Sequence, residues 1–207
     1  YRIEKATPVI EWEVPSFTKT YDGLPAQVEA KVTLLNGGIY DGQIDYRWNA
    51  VDGTGDVGEG MPVDAGKYII LAESQEQPNY KAIHSSWLDL TIEKAEQARP
   101  APPVVKAVTP TSVTLEAVEN AEYQCNGLWR DSPVFEGLKT GVEYTFYVRL
   151  KEDKNHKESP KSEGTAVTPR KIALDGAVVT IAEASREYTG APIVPGAQAV
   201  SVALPDG

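Results

Sequence analysis

Apolar and polar residues alternate along much of the chain. Three stripes in its first quarter have this period of two, at residues 10–14, 27–34 and 44–49. Because successive side chains of a strand point to opposite faces, each stripe predicts a β-strand with one buried face. Pairs such as Asp41-Gly42 and Asp52-Gly53 are typical of tight turns. Short strands at this spacing predict an all-β fold of β-sandwiches, and we find no convincing amphipathic helix.

A repeated motif divides the chain. Ile3-Glu4-Lys5-Ala6 recurs unchanged as Ile92-Glu93-Lys94-Ala95, 89 residues later, a spacing close to the size of one small domain. The second copy closes an alternating stripe, and the first opens the chain. We therefore expect a window from a longer string of β domains joined end to end. The expected partners are neighbouring domains of the same longer chain.

Proline marks two further boundaries. Residues 96–103 (EQARPAPP) should form a semi-extended linker, because proline removes a hydrogen-bond donor and stiffens the backbone. Thr168-Pro169-Arg170-Lys171 is a second, very short boundary that should restrict the angle between neighbours. The predicted units are therefore residues 1–95, 104–169 and 170–207.

Four motifs follow one another in the first unit, residues 1–95. They are Tyr21-Asp22-Gly23 with Pro25, Pro62-Val63-Asp64-Ala65-Gly66 before Tyr68, Asn79-Tyr80, and Leu90-Thr91-Ile92-Glu93-Lys94-Ala95. With these motifs the unit resembles the bacterial MBG-type (YDG/YGX) surface repeat. This resemblance implies a β-sandwich spacer that occurs in tandem on secreted, wall-attached or adhesin-like proteins and has no known catalysis.

The second unit, residues 104–169, has an early alternating stripe and a later aromatic one. Their residues are Val113, Leu115 and Ala117, then Leu138, Tyr144, Phe146 and Val148. With this pattern the unit resembles a fibronectin type III domain. The resemblance implies tandem Ig-like or fibronectin-like β-sandwiches, with the Tyr144 hydroxyl hydrogen-bonded to nearby backbone at a corner of the sandwich. The usual tryptophan of the early strand is missing, and Ala117 or Val118 occupies that region.

The third unit repeats the start of the first. Tyr188-Thr189-Gly190 with Pro192 lies 167 residues after Tyr21-Asp22-Gly23 with Pro25. Residues 170–207 are therefore interpreted as the truncated start of a further MBG-like unit. Half a sandwich leaves an open edge, so this tail should be poorly ordered or completed by another chain.

Charge and cysteine content exclude several functions. The net charge of −10 disfavours binding to phosphate backbones and to anionic membranes. No apolar run approaches the ~20 residues that span a bilayer, so we expect no nucleic acid and no membrane insertion. Cys125 is alone, which excludes an intrachain disulfide and a multi-cysteine metal site. We expect no cofactor and no metal.

Candidate chemistry is sparse. Asp52-Gly53-Thr54-Gly55-Asp56 faintly resembles a calcium loop, but Val57 and Val63 stand where a tight-turn glycine and a bidentate glutamate belong, so a hairpin turn is favoured. Neither His84 nor His156 suggests an acid–nucleophile arrangement. The chain is therefore predicted not to be an enzyme.

Trp87 is the main candidate for binding. It lies on the opposite face of its strand from Leu88, and Ile69 and Leu71 should also point outward. These three residues predict an apolar patch if they cluster. The structural interpretations are a domain contact or a β-bulge that turns Trp87 inward. The functional interpretation is a docking patch for protein or sugar.

The sequence favours a non-enzymatic, extracellular stalk, spacer or adhesin module on a bacterial cell surface or cell wall. The alternatives are a module that binds a glycan or a host or cell-surface protein on the Trp87 side, and accessory domains of a secreted polysaccharide-degrading enzyme. A Lys5–Asn79 isopeptide crosslink is a further, weaker hypothesis. Fold analogy supports part of each interpretation.

Overall fold

A computed structural model of the chain describes residues 1–35, 37–171, 178–181 and 200–203, and every regular element in these ranges is a β-strand. The prediction of an all-β fold is confirmed. The first sandwich contains eight strands: β1 Pro8–Trp12, β2 Ser16–Thr20, β3 Ala30–Leu34, β4 Ile44–Ala50, β5 Val57–Glu59, β6 Gly66–Ser74, β7 Ile83–His84 and β8 Leu88–Glu93.

The large sheet of the first sandwich has the order β2-β8-β6-β4-β5, and β7 also pairs with β6. β2 and β8 run parallel, whereas the other pairs are antiparallel. β1 and β3 form a second, two-stranded sheet. Alternate residues of β6 and β8 supply the centre of the core, as the stripes indicate. The buried residues are Ala26, Val28, Tyr68, Ile70, Leu88, Leu90 and Ile92.

The second sandwich contains seven strands: β9 Val105–Val108, β10 Ser112–Leu115, β11 Ala121–Cys125, β12 Leu128–Arg130, β13 Val134–Glu136, β14 Tyr144–Leu150 and β15 Thr165–Val167. They form two antiparallel sheets, the smaller with the order β13-β10-β9 and the larger with the order β12-β11-β14-β15. The buried core lies between the sheets and contains Val113, Leu115, Ala121, Tyr123, Cys125, Phe135, Phe146 and Val148.

Tyr144 pins a corner of this second sandwich. Its hydroxyl accepts a hydrogen bond of 3.0 Å from the backbone N–H of Lys139, five residues upstream. Leu138 packs against the core and donates its own N–H to Thr111 O at 2.9 Å. The corner therefore ties the loop after β13 to the start of β14, which is the geometry expected of a fibronectin-type tyrosine corner.

The third unit is described in part. β16 Val178–Ile181 and β17 Val200–Ala203 form an antiparallel pair. The motif Tyr188-Thr189-Gly190 with Pro192 lies outside the described residues, and so does the comparison of Tyr188 with Tyr21.

Replacing Tyr144 by Phe removes the corner hydrogen bond and leaves the ring in place. We expect the second sandwich to lose about 1 kcal/mol of unfolding free energy, the usual net contribution of one such bond. Hydrogen exchange of the amides of residues 144–150 would measure this domain separately from the first. Tyr147→Phe is the matched control on the same strand, because no described residue hydrogen-bonds its hydroxyl. It should change stability by less than about 0.5 kcal/mol, and an equal loss in both variants would contradict the corner's role.

Candidate functional site: the joint between the sandwiches

The two sandwiches meet where the loop after β14 receives the chain that leaves β8. The backbone N–H of Ala95 donates to Asn155 O at 2.9 Å, and the N–H of Lys157 donates to Ala95 O at 2.9 Å. These two bonds form a parallel β-bridge between Ala95 and His156. The end of the first sandwich thus becomes a short strand on a loop of the second. We call this arrangement the joint.

Asn155 adds a side-chain contact across the joint. Its Oδ1 accepts the backbone N–H of Ala65 at 2.8 Å, and its Nδ2 donates to Asp64 Oδ1 at 3.0 Å. The other oxygen of Asp64, Oδ2, accepts from Lys154 Nζ at 2.6 Å. The turn before β6 is therefore held by an amide and an ammonium group of the next domain.

These contacts change the acidity of the groups involved. The hydrogen bond from Lys154, followed by that from Asn155, lowers the pKa of Asp64 below its ordinary value. Asp64 in turn raises the pKa of Lys154. Both shifts favour the charged forms that bond to each other, so the joint is strongest when the carboxylate is ionised.

Tyr21 and Asp153 shape the two sides of the joint. The Tyr21 ring meets the His156 ring edge-on, with centroids 5.3 Å apart. The backbone N–H of Tyr21 donates to Glu93 O at 2.8 Å. Asp153 Oδ1 accepts the backbone N–H groups of Asn155 at 2.8 Å and His156 at 2.7 Å. Those two N–H bonds also contribute to a lowered Asp153 pKa. The loop is therefore preorganised before it receives Ala95.

Residues 96–103 are hydrogen-bonded to the second sandwich. Gln97 Nε2 donates to Lys151 O at 2.9 Å and to Lys157 O at 2.6 Å. Farther along, Pro103 is buried, and its carbonyl accepts from Thr165 Oγ1 at 2.7 Å. The predicted linker is thus held against the second sandwich along its length.

Several exposed ion pairs surround the bridge. Lys94 Nζ lies 2.5 Å from Glu152 Oε1, and Lys157 Nζ lies 2.7 Å from Glu96 Oε1. Exposed pairs of this kind contribute only about 0.2–1 kcal/mol each. The orientation of the two sandwiches therefore depends on the backbone bridge and Asn155 more than on these charges.

The structure places the Trp87 candidates around a β-bulge. Ile70 pairs with Leu88 and Glu73 pairs with His84, so the two residues Leu71 and Ala72 face the three residues 85–87. Trp87 is nevertheless 49% exposed, so the bulge does not bury it. Leu71 lies opposite the bulge.

Ile69 and Leu71 are both half-buried, and Ile69 pairs with the acidic residue Asp89. The outer face is thus interrupted by charge. Trp87 instead lines an open groove with Glu13, Val14 and other residues of the β1–β2 turn.

The remaining candidates stay separate. Asp52 Oδ1 accepts the N–H of Thr54 at 3.0 Å and its hydroxyl at 2.6 Å, which builds the hairpin turn between β4 and β5 and lowers the Asp52 pKa. Lys5 Nζ lies 2.5 Å from Glu76 Oε1 rather than on the side chain of Asn79, although the two segments are hydrogen-bonded neighbours. Within the described ranges, no three His, Cys, Asp or Glu side chains are placed to hold a metal ion.

Comparisons with known proteins add little. No family model matches the chain, and no curated protein matches it. Among solved structures, the FN1–FN3 domains of chicken CNTN1 align with a TM-score of 0.31 and 12% identity, covering 81% of this chain and 67% of that one. Immunoglobulin domains 1–5 of Sidekick-1 align with a TM-score of 0.23 and 10% identity, covering 86% and 42%.

TM-scores this low support no inference about the fold or the function of this chain. The strand pairing therefore carries the conclusion by itself: the described residues up to 169 form two β-sandwiches. The described part of the chain has no helix that is long and apolar enough to cross a membrane.

Acidification should loosen the joint. The pKa of Asp64 is lowered in the structure. The stabilisation that its carboxylate gives to the joint is therefore complete above the ordinary carboxyl pKa of about 3.9, and it is lost as the pH falls through the lowered pKa. NMR residual dipolar couplings, fitted separately for residues 1–95 and 104–169, should give one alignment tensor at neutral pH and two different tensors in acid.

Asp64→Asn removes this titration and should weaken the joint already at neutral pH. The pH dependence that remains belongs to Asp153, whose pKa is lowered in the same direction. Glu59→Gln is the control, because no described residue pairs with that exposed carboxylate. An unchanged pH profile in Asp64→Asn would contradict the role of Asp64.

Proposed function

We propose that this chain is a non-enzymatic, extracellular spacer of a surface protein, in which β-sandwiches are held in a fixed line. The observation that supports the proposal is the joint: a two-bond backbone bridge at Ala95, reinforced by Asn155 on Asp64 and Ala65. A spacer must transmit position from one domain to the next. A directional contact between consecutive domains serves that purpose.

The joint restricts the range of angles that the linker would otherwise allow between the two sandwiches. Eight residues of free chain reach about 26 Å at roughly 3.3 Å per residue, which would allow a wide range of angles. Here both the N–H and the C=O of Ala95 are bonded. Bending at this point therefore requires breaking directional hydrogen bonds, each with a net contribution of about 0.5–1.5 kcal/mol.

The ionisable groups also favour a structural role. Asp22, Asp64 and Glu76 each have a lowered pKa whose largest cause is a hydrogen bond from one lysine. Such shifts arise from surface ion pairs, whereas an acid–base catalyst needs a pKa moved toward the working pH in a cleft. These groups are suited to holding turns and joints, not to moving protons.

Charge is concentrated in the first sandwich. Residues 1–95 contain 8 Lys and Arg against 15 Asp and Glu, whereas residues 96–170 contain 10 against 11. Like charge along a surface disfavours collapse onto another anionic surface. An acidic sandwich of this kind is therefore compatible with a spacer that projects away from a cell wall.

Asn155→Ala should release the joint without unfolding either sandwich. The alanine keeps the backbone bridge but loses both side-chain bonds to the turn before β6. The first sandwich can then pivot about Ala95, so the dipolar couplings of the two sandwiches should no longer fit one tensor. Asn79→Ala is the matched control, because Asn79 is an exposed asparagine whose side chain has no hydrogen-bond partner among the described residues. A single shared tensor in Asn155→Ala would contradict the spacer proposal.

Exposed Trp87 supports a second candidate function, a binding module for a glycan or a surface protein. Its ring is 49% exposed beside an open groove, and an amphipathic aromatic ring of this kind is a common contact in recognition sites. Trp87→Ala should abolish any signal on glycan or matrix-protein arrays. Leu128→Ala is the control, since Leu128 is 75% exposed on the second sandwich. If the unaltered chain gives no signal on these arrays, the binding function is contradicted and the spacer proposal is unaffected.

A further inference from the structure

The joint has a second copy within the first sandwich. The N–H of Ala6 donates to Asn79 O at 2.8 Å, and the N–H of Lys81 donates to Ala6 O at 2.9 Å. These bonds form a parallel bridge between Ala6 and Tyr80. Their donors, acceptors and spacing match those of Ala95 on residues 155–157.

The ion pair beside the bridge is repeated as well. Lys5 Nζ lies 2.5 Å from Glu76 Oε1, and Lys94 Nζ lies 2.5 Å from Glu152 Oε1. In each case the lysine directly precedes the bridging alanine, and the glutamate lies three residues before the asparagine. The two copies of Ile-Glu-Lys-Ala therefore enter two equivalent sites.

The two receiving loops share a pattern of residue types. One is Glu76-Gln77-Pro78-Asn79-Tyr80-Lys81 and the other is Glu152-Asp153-Lys154-Asn155-His156-Lys157. Glutamate, asparagine, an aromatic ring and lysine occupy the same positions. The loops belong to two different kinds of sandwich, so the pattern follows the joint and not the domain type.

The two loops differ in what their side chains contact. Asn155 and His156 bind the turn before β6 and the Tyr21 ring of the preceding sandwich. Asn79 is exposed, and no described residue bonds its side-chain amide. Tyr80 contacts only its own domain, through the Tyr40 ring and Asp41. The loop at 76–81 thus forms the same bridge, while the described contacts of Asn79 and Tyr80 stay within their own domain.

The second motif indicates which kind of domain the first motif follows. Ile92, at the place equivalent to Ile3, is 2% exposed in the core of the first sandwich and is the last buried residue of β8. Burying an isoleucine side chain in a sandwich core is favourable, so an isoleucine near the end of the final strand is expected to face that core. Ile3 therefore fits the last buried position of a sandwich of the same kind.

We propose that the surface formed by residues 76–81 is the docking site for another sandwich of the type of residues 1–95, delivered by Glu4-Lys5-Ala6. The counterpart of Asp64-Ala65 in that sandwich binds the Asn79 amide, and the counterpart of Tyr21 packs on Tyr80. A sandwich of the second type does not fit, because its last strand, Thr165–Val167, is followed by Thr168-Pro169 and not by Glu-Lys-Ala.

This inference rests on the spacer proposal and names the partner of a second joint. Separate experiments test the spacer proposal and the docking site, so either can be contradicted without the other. Asn155→Ala in the unaltered chain tests the spacer. The docking site is tested by a duplication in which residues 1–95 are followed directly by residues 7–207. Glu93-Lys94-Ala95 of the inserted copy then replaces Glu4-Lys5-Ala6, with no foreign residue at the junction.

In the duplicated chain, the inserted sandwich and the original first sandwich should share one alignment tensor. The Asn79 side-chain amide resonances of the original copy should shift relative to the unaltered chain. Asn79→Ala in the original copy should remove the shared tensor at this joint only, and Asn155→Ala should remove it at the downstream joint only. The matched control has Gly-Ser-Gly in place of Glu-Lys-Ala at the junction and should not couple the sandwiches.

Separate tensors with unshifted Asn79 resonances would overturn the proposal. So would equal coupling in the Gly-Ser-Gly control, because the motif would then be irrelevant. An inserted copy that fails to fold also counts against it, since the same 95 residues form a sandwich ahead of residue 96 and the docked copy should be no less stable.

Discussion

The backbone bridge at Ala95 is the constraint on which the arrangement of the two sandwiches depends. Both hydrogen-bonding groups of this residue are used by the next domain, which fixes the position and the direction of the chain leaving β8. Tyr21 is tied to the same strand end through Glu93 O, and the turn at Asp64 reaches Asn155. The side-chain contacts follow once the bridge is made.

The joint is polar and narrow, whereas the apolar material stays inside each domain. The core around Ile70 and Leu90 and the core around Phe146 and Val148 are separate clusters. A shared apolar interface would make each domain depend on its neighbour to cover exposed surface. With directional bonds instead, each sandwich buries its own core and the contact sets only the angle.

Periodicity predicted the cores well and the joints poorly. Alternation pointed Ile69 and Leu71 outward, and Ile70 between them is buried, because that signal is local. It could not give the register that creates the bulge at residues 85–87, since register depends on pairing between distant segments. The repeated Ile-Glu-Lys-Ala was visible, but its receptors lie in loops of unlike domains and share only a few residue types. The Lys5–Asn79 crosslink stays a hypothesis, because their segments are neighbours but the lysine pairs with Glu76.

The two receiving loops share the geometry of the backbone bridge but differ in the side-chain contacts that strengthen it. The bridge uses backbone atoms of the receiving loop, so both kinds of sandwich can form it, whereas the loop side chains hold the preceding domain. Position 154 is a lysine that pairs with Asp64, but the equivalent position 78 is a proline with no charge. A joint at residues 76–81 would keep the same direction and lose one ion pair. Either kind of sandwich can therefore receive a domain that ends in Glu-Lys-Ala with one geometry, while single substitutions in the loop change the strength of each joint.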